Sequence, residues 1–123
     1  MENIKILVVE DENIVALDIK NKLKSMGFVV LPVISSGEEA IEKANEYRPD
    51  LIMMDIMLNG KMDGIEAAKK IMETQKIPVL YLTANTNGEI LERASNIGPC
   101  SYIIKPFHEK DLEDTINNLL KLK

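Results

Sequence analysis

Four stretches of the chain end in residues that could do chemistry together. Leu51-Ile-Met-Met-Asp55 is an apolar run closed by one carboxylate, and Val8-Val9-Glu10-Asp11 ends in two more. Pro78-Val-Leu-Tyr-Leu82 leads to the hydroxyl of Thr83, and Ser101-Tyr-Ile-Ile104 leads to the ammonium of Lys105. Three clustered carboxylates repel one another and do not all ionise comfortably without a cation. Lys105 supplies one positive charge. A hard divalent cation with oxygen ligands would supply the rest, and Mg²⁺ suits such a site because it takes few carboxylates and keeps waters that an incoming phosphate can replace. Flanked by a metal and a lysine, Asp55 could attack phosphorus and form an acyl phosphate. Phosphoryl transfer asks mainly for positioning and charge neutralisation, which a metal, a lysine and a hydroxyl donor provide.

The elements that must bring these residues together follow from hydrophobic pattern. Ile4-Lys-Ile-Leu-Val-Val9 is rich in β-branched residues and reads as a buried strand. Val15, Ile19, Leu23 and Met26 then share one helical face, with Gly27 as the stop. Phe28 to Ile34 reads as a second strand, placed at a sheet edge by Pro32, which cannot donate to a central ladder. Ser36-Gly-Glu-Glu39 fits a capping box for a second helix with Ala40, Ile41, Ala44 and Tyr47 on its apolar stripe. Leu51 to Asp55 reads as a strand buried on both faces. Gly64 opens a third helix carrying Ile65, Ala68, Ile71 and Met72 inward. Pro78 to Leu82 is the fourth strand. Thr86 and Glu89 could cap a fourth helix, with Ile90, Leu91 and Ala94 inward and Gly98 as its stop. Ser101 to Ile104 is the fifth strand, and the last helix carries Leu112, Ile116, Leu119 and Leu120.

Strand and helix therefore alternate five times, which implies an α/β fold with a parallel sheet and helices on both faces. In such sheets ligands bind outside the carboxyl ends of the strands, near the point where strand order reverses. Glu10, Asp11, Asp55, Thr83 and Lys105 all lie at that rim.

Composition bounds the reading. The chain has 123 residues, suited to one compact domain, with 46% hydrophobic and 28% charged residues, which allows a packed core. The net charge of -5 argues against direct nucleic-acid binding and against anionic membrane surfaces. Cys100 is the sole cysteine, so an internal disulfide is ruled out. The lack of a signal peptide or long apolar segment leads us to expect a cytoplasmic protein.

Taken in order, Val8-Val9-Glu10-Asp11, Leu51 to Asp55, Met62-Asp63-Gly64, Pro78 to Thr83-Ala84 and Tyr102-Ile-Ile-Lys105-Pro106-Phe107 resemble the receiver domain of response regulators, the phosphoacceptor module of two-component signalling. The ordered set is specific although no single motif is, and it covers nearly the whole chain. The resemblance implies a flavodoxin-like, doubly wound, five-stranded parallel sheet of order 2-1-3-4-5, as a single receiver domain over residues 1–123 without an output domain. It implies that Asp55 is phosphorylated, that Asp11, Asp55 and the backbone carbonyl of Met57 ligate Mg²⁺, and that Glu10 acts through water or at the metal's margin. Lys105 would bind the phosphoryl group, Thr83 would swing towards it, and Tyr102 would turn inward as an aromatic switch. The Lys105–Pro106 bond resembles the family's cis peptide. The domain would catalyse its own phosphorylation and dephosphorylation without being a conventional enzyme. Its implied partners are a histidine kinase or phosphotransfer protein and a downstream protein target met by the fourth helix, fifth strand and fifth helix, the domain being a monomer or a phosphorylation-dependent homodimer.

The chain departs from the family's pattern in three places. Glu10 stands where an aspartate is common. The loop after Asp55 has Asn59-Gly60-Lys61 in place of a proline and is one residue longer than in chemotaxis-type receivers. The side chains at Met57 and Asn85 flank the site in the family and tune hydrolysis, and an apolar Met57 would hinder attacking water. The plainer readings are a solvated acidic helix start for Glu10-Asp11-Glu12, a strand-end cap for Thr83, a surface lysine for Lys105 and a packing role for Tyr102. We expect Met57 and Met62 to be exposed, His108 to start the last helix and Cys100 to be a small buried residue. A phosphorylation-independent docking module is the alternative function. A small phosphatase or a flavin protein fits poorly, because Met57 breaks an Asp-x-Asp pair and no Ser/Thr/Gly-rich phosphate loop follows the first strand.

Overall fold

The computed structural model describes residues 3–58, 60–84 and 88–121. Strands β1 (Lys5–Val9), β2 (Val29–Val30), β3 (Leu51–Asp55), β4 (Val79–Thr83) and β5 (Cys100–Ile104) alternate with helices α1 (Asn13–Ser25), α2 (Gly37–Tyr47), α3 (Gly64–Met72), α4 (Gly88–Ser95) and α5 (Glu109–Leu120). The strands form one sheet in the order β2-β1-β3-β4-β5, every neighbouring pair parallel. This is the flavodoxin-like doubly wound arrangement, and strand order reverses between β1 and β3.

Alternation along the strands fills two cores. Leu7, Val9, Ile52, Met54, Val79 and Tyr81 pack against α2, α3 and α4, while Ile6, Val8, Leu51, Met53, Leu80 and Leu82 pack against α1 and α5. All five residues of β3 and of β4 are buried, as continuous apolar runs require in a sheet covered on both faces.

Several local expectations are met and others are corrected. Gly27 takes a φ of 92° just past α1, the left-handed geometry that glycine adopts without strain. The second strand was expected over residues 28–34 but is only Val29–Val30, with a further bridge between Val9 and Ile34. Pro32 has no N–H and divides the ladder; Leu31 N–H donates to Ile6 before it and Ile34 N–H donates to Val8 after it. β2 does lie at the edge. At α2 the Ser36 hydroxyl accepts from the Glu39 amide at 3.2 Å, which is half of the expected box. The complete reciprocal box is at α3: Asp63 accepts from the Glu66 amide at 2.8 Å, and Glu66 accepts from the Asp63 amide at 3.0 Å.

Other boundaries shift by a few residues. β4 runs on to include Thr83, and β5 begins at Cys100, which is half-buried rather than buried. α4 ends at Ser95, before the expected stop at Gly98, and the proposed cap Thr86 lies outside the described residues. Met57 is exposed, whereas Met62 is half-buried because it lies against Gly37. His108 is the N-cap residue of α5.

Gly64 fixes the loop after Asp55 to the sheet. Its amide donates to the Ile56 carbonyl at 2.9 Å, and a Cβ there would lie 2.2 Å from the Asp55 carbonyl oxygen. Gly64→Ala should therefore destabilise the domain by about 1–3 kcal/mol in denaturant unfolding. Gly88→Ala, where an added Cβ meets nothing within 4 Å, is the control and should be neutral or slightly stabilising.

Candidate functional site

Adjacent strands β1 and β3 deliver their last residues to one rim. Asp55 closes β3 with 3% of its surface exposed, and Glu10 follows β1 with 1% exposed. Glu10 and Asp55 could not be buried so fully without partners. The Asp55 carboxylate is held at both oxygens: Oδ1 accepts from the Met57 amide at 3.0 Å and Oδ2 from Lys105 Nζ at 3.2 Å. Glu10 is held likewise, with Oε1 accepting from Lys105 Nζ at 3.1 Å and Oε2 from the Glu12 amide at 3.1 Å. Asp11 completes a group in which one carboxylate oxygen from each of Glu10, Asp11 and Asp55 lies within 4.8 Å of the others. Among the described residues, no buried side-chain polar atom lacks a hydrogen-bond partner.

Lys105 reaches the rim from the end of β5, over a peptide bond to Pro106 that is cis, as the resemblance implied. Its amide donates to the Thr83 carbonyl at 2.8 Å, so the strand ends that carry the hydroxyl and the ammonium are tied together. Thr83 is buried. The structure thus brings Glu10, Asp11, Asp55 and Lys105 together, with Thr83 beside them on β4. Tyr102 stands apart: it pairs in register with Tyr81 on β5 and is 44% exposed.

The electrostatics have one sign. Burial pushes the Glu10 carboxyl up to about 7, with the negative charge of Asp55 adding to the rise. For Lys105, burial acts to lower the pKa, but its hydrogen bond to Glu10 and the field of Asp55 outweigh it and the net shift is upward. Burial is thus the main cause at Glu10, whereas at Lys105 the facing carboxylates of Glu10 and Asp55 are what hold the proton. Such an oxygen-only, charge-excess set fits a hard divalent cation, and Glu10, Asp11 and Asp55 could hold one.

Two features of the site's surroundings were not drawn from the sequence. Glu10 grips Lys105 directly, across 95 positions of the chain, so that no local signal announces it. An apolar groove of about 520 Å³, lined by Ile14, Val15, Asp18, Lys105, Pro106 and Phe107, opens beside Lys105. Ile14 in its lining and Leu17, three residues on along α1, are 85% and 57% exposed. Their signal was readable, since both are large apolar residues that fall off the Val15-Ile19-Leu23 stripe of α1.

Comparison with known proteins agrees with this geometry. The family described as the response regulator receiver domain matches residues 6–117. The chain belongs to that family. It is 34% identical over 108 residues to the transcriptional regulatory protein PdtaR of Mycobacterium tuberculosis, covering 88% of this chain and 52% of the relative. It is 38% identical over 115 residues to the response regulator protein VraR of Staphylococcus aureus, covering 92% of this chain and 54% of the relative. The chain therefore spans about half the length of these curated relatives. Among solved structures, the receiver domain of sensor histidine kinase PA1611 from Pseudomonas aeruginosa superposes with a TM-score of 0.85 at 28% identity, covering 98% of this chain and 99% of that one. That structure is described with a magnesium ion coordinated in its active-site cleft. As a receiver domain, the chain is a module of two-component signalling. Among its described residues, no helix is long and apolar enough to cross a membrane.

The raised Glu10 pKa sets a pH dependence. A carboxyl whose folded-state pKa lies above its unfolded value near 4.5 keeps its proton better in the folded protein. That contribution is present below about pH 4.5 and is lost as pH rises through about 7. In metal-free buffer, Glu10→Gln should flatten the decline in unfolding free energy between those limits. An identical decline in native and variant would show that Glu10 is not its source.

Proposed function

We propose that this receiver domain is a phosphoacceptor switch in which Asp55 takes a phosphoryl group from a phosphohistidine of a histidine kinase or phosphotransfer protein. The observation that carries the reading is Lys105 Nζ between Glu10 and Asp55, at 3.1 and 3.2 Å, beside a third carboxylate from Asp11. An Asp55 oxygen attacks phosphorus; the O–P bond forms as the N–P bond breaks, and the imidazole, already protonated at its other nitrogen, leaves as the neutral ring. Asp55 needs no general base, because an ionised carboxylate is already the nucleophile. Lys105, fixed by Glu10, remains positioned to neutralise the transferred oxygens when Asp55 gives up its own contact with it. Thr83, joined to Lys105 through their backbones, would swing its hydroxyl towards the phosphoryl group.

Asp11, Asp55 and the Met57 carbonyl would hold Mg²⁺, with Glu10 acting through water or at its margin. When bound, the ion would supply the positive charge that the site lacks beside the phosphoryl oxygens. With all three carboxylates ionised against one ammonium, the excess is two charges, which one divalent ion would balance. Met57, 71% exposed at the mouth, would hinder the water that hydrolyses the acyl phosphate. The domain catalyses its own phosphorylation and dephosphorylation in this reading and turns over no other substrate.

The groove beside Lys105, with Ile14 and Leu17, offers the phosphodonor an apolar seat within reach of Asp55. The output face is α4, β5 and α5, where Tyr102 and Ile104 are 44% and 41% exposed and Tyr102 is the switch residue. Phosphorylation shifts that face between two states and so changes the affinity for a downstream protein or for a second copy of the domain. We place the domain in the cytoplasm, without direct contact to nucleic acid or membrane. A docking module that works without phosphorylation is the alternative.

Intact mass after incubation with Mg²⁺ and acetyl phosphate or phosphoramidate tests the reading. Native protein should gain one phosphoryl group, while Asp55→Asn and chelator-treated protein should gain none. Equal uptake by Asp55→Asn would refute the acceptor assignment, and no uptake by folded native protein would favour the docking module.

A further inference from the structure

α4 is the least embedded of the five helices. Ala94 is its one fully buried residue, whereas α3 buries five, including Ile65, Ala67, Ala68 and Ile71. It also has open space on both sides. A cleft of about 620 Å³ separates it from α3, and one of about 330 Å³ lies between it and β5. A helix with little buried area and room to move is drawn from the low-stability end of a fold.

A charged contact reaches from this helix to the start of α3. Arg93 Nη2 lies 3.5 Å from Asp63 Oδ2. Asp63 is not an ordinary surface carboxylate. Its Oδ1 caps α3, and the next residue, Gly64, is hydrogen-bonded to Ile56 and lies against the Asp55 carbonyl. Asp63 therefore occupies a fixed position at the far end of the loop that begins at Asp55. That loop is in turn anchored by the Met57 amide on Asp55 Oδ1, at 3.0 Å. A phosphoryl group on Asp55 would replace the contacts that its oxygens now make, and so change the anchor at one end of the loop whose other end holds Arg93.

We propose that the Asp63–Arg93 ion pair is a latch that holds α4 against the loop following Asp55, and that phosphorylation of Asp55 releases it. The second half rests on the reading of Asp55 as the acceptor; the first half does not. The pair is partly solvated, with side-chain exposures of 51% and 31%, so it biases a balance rather than locking a state. Such a bias suffices where the helix it restrains is itself weakly held.

Hydrogen exchange of the α4 amides, compared across a double-mutant cycle, tests the latch. Arg93→Gln removes the cation. Asp63→Asn removes the charge and keeps an oxygen to cap α3. In unphosphorylated protein each variant should speed exchange across residues 88–95 by about twofold to fivefold, with α3 and α5 unchanged, and the double variant should add nothing. Native exchange rates in Arg93→Gln, or single effects that add in the double variant, would overturn the latch. In native protein shown by mass to be phosphorylated, α4 exchange should rise to the Arg93→Gln level, and phosphorylation should raise it no further in that variant. Phosphorylated native protein with unchanged α4 exchange would overturn the release. Failure to take up a phosphoryl group at all would instead strike the Asp55 reading, and the unphosphorylated cycle would still decide the latch.

Discussion

Three carboxylates share one ammonium at the carboxyl edge of this sheet. Lys105 faces Glu10 and Asp55 at 3.1 and 3.2 Å, and Asp11 stands beside them without adding positive charge. Everything at the rim answers to that imbalance. It holds the proton on Lys105 and adds to the rise that burial causes at Glu10, every oxygen of the two buried carboxylates has a backbone or ammonium donor, and with all three carboxylates ionised the excess is two negative charges. A site of this kind suits a hard divalent ion.

The fold exists around this constraint in a concrete sense. β1 and β3 are adjacent and, Lys5 apart, buried, so their last residues cannot drift apart, and strand order reverses between them, where sheets of this kind open a crevice. β4 and β5 extend the same edge, and the Lys105 amide on the Thr83 carbonyl fixes their relative height. Rigid strands thus carry the groups that must hold position. On α4 and the face around Tyr102, burial is slight. Gly64 ties the loop after Asp55 to the sheet, packed against Asp55 and opening the helix that Asp63 caps.

Much of this was legible in the sequence, for physical reasons. Continuous apolar runs such as Leu51 to Met54 can only be strands covered on both faces, and their ends point to the rim. Pro32 marked the edge strand correctly, although the same missing N–H cut that strand to two residues with a separate bridge. The capping box was read at Ser36-Glu39, while the complete one formed at Asp63-Gly-Ile-Glu66, which carries an equally plain signature. What stayed hidden are contacts between distant positions. Glu10 and Lys105 meet across 95 residues, and Arg93 finds Asp63 only because α3 and α4 lie side by side across a cleft. Pattern fixes which residues reach an edge; packing decides which of them touch.

The central claim is that the buried carboxylate of Asp55, and no other, accepts a phosphoryl group. Borohydride reduction of the phosphorylated protein, followed by peptide sequencing by mass spectrometry, tests it most directly, because an aspartyl phosphate is reduced to homoserine and the residue is marked in place. Homoserine at position 55, dependent on Mg²⁺ and on the phosphoryl donor, is the expected result. Homoserine at position 11, or a phosphoryl group that resists reduction because it sits on a hydroxyl such as that of Thr83, would contradict it.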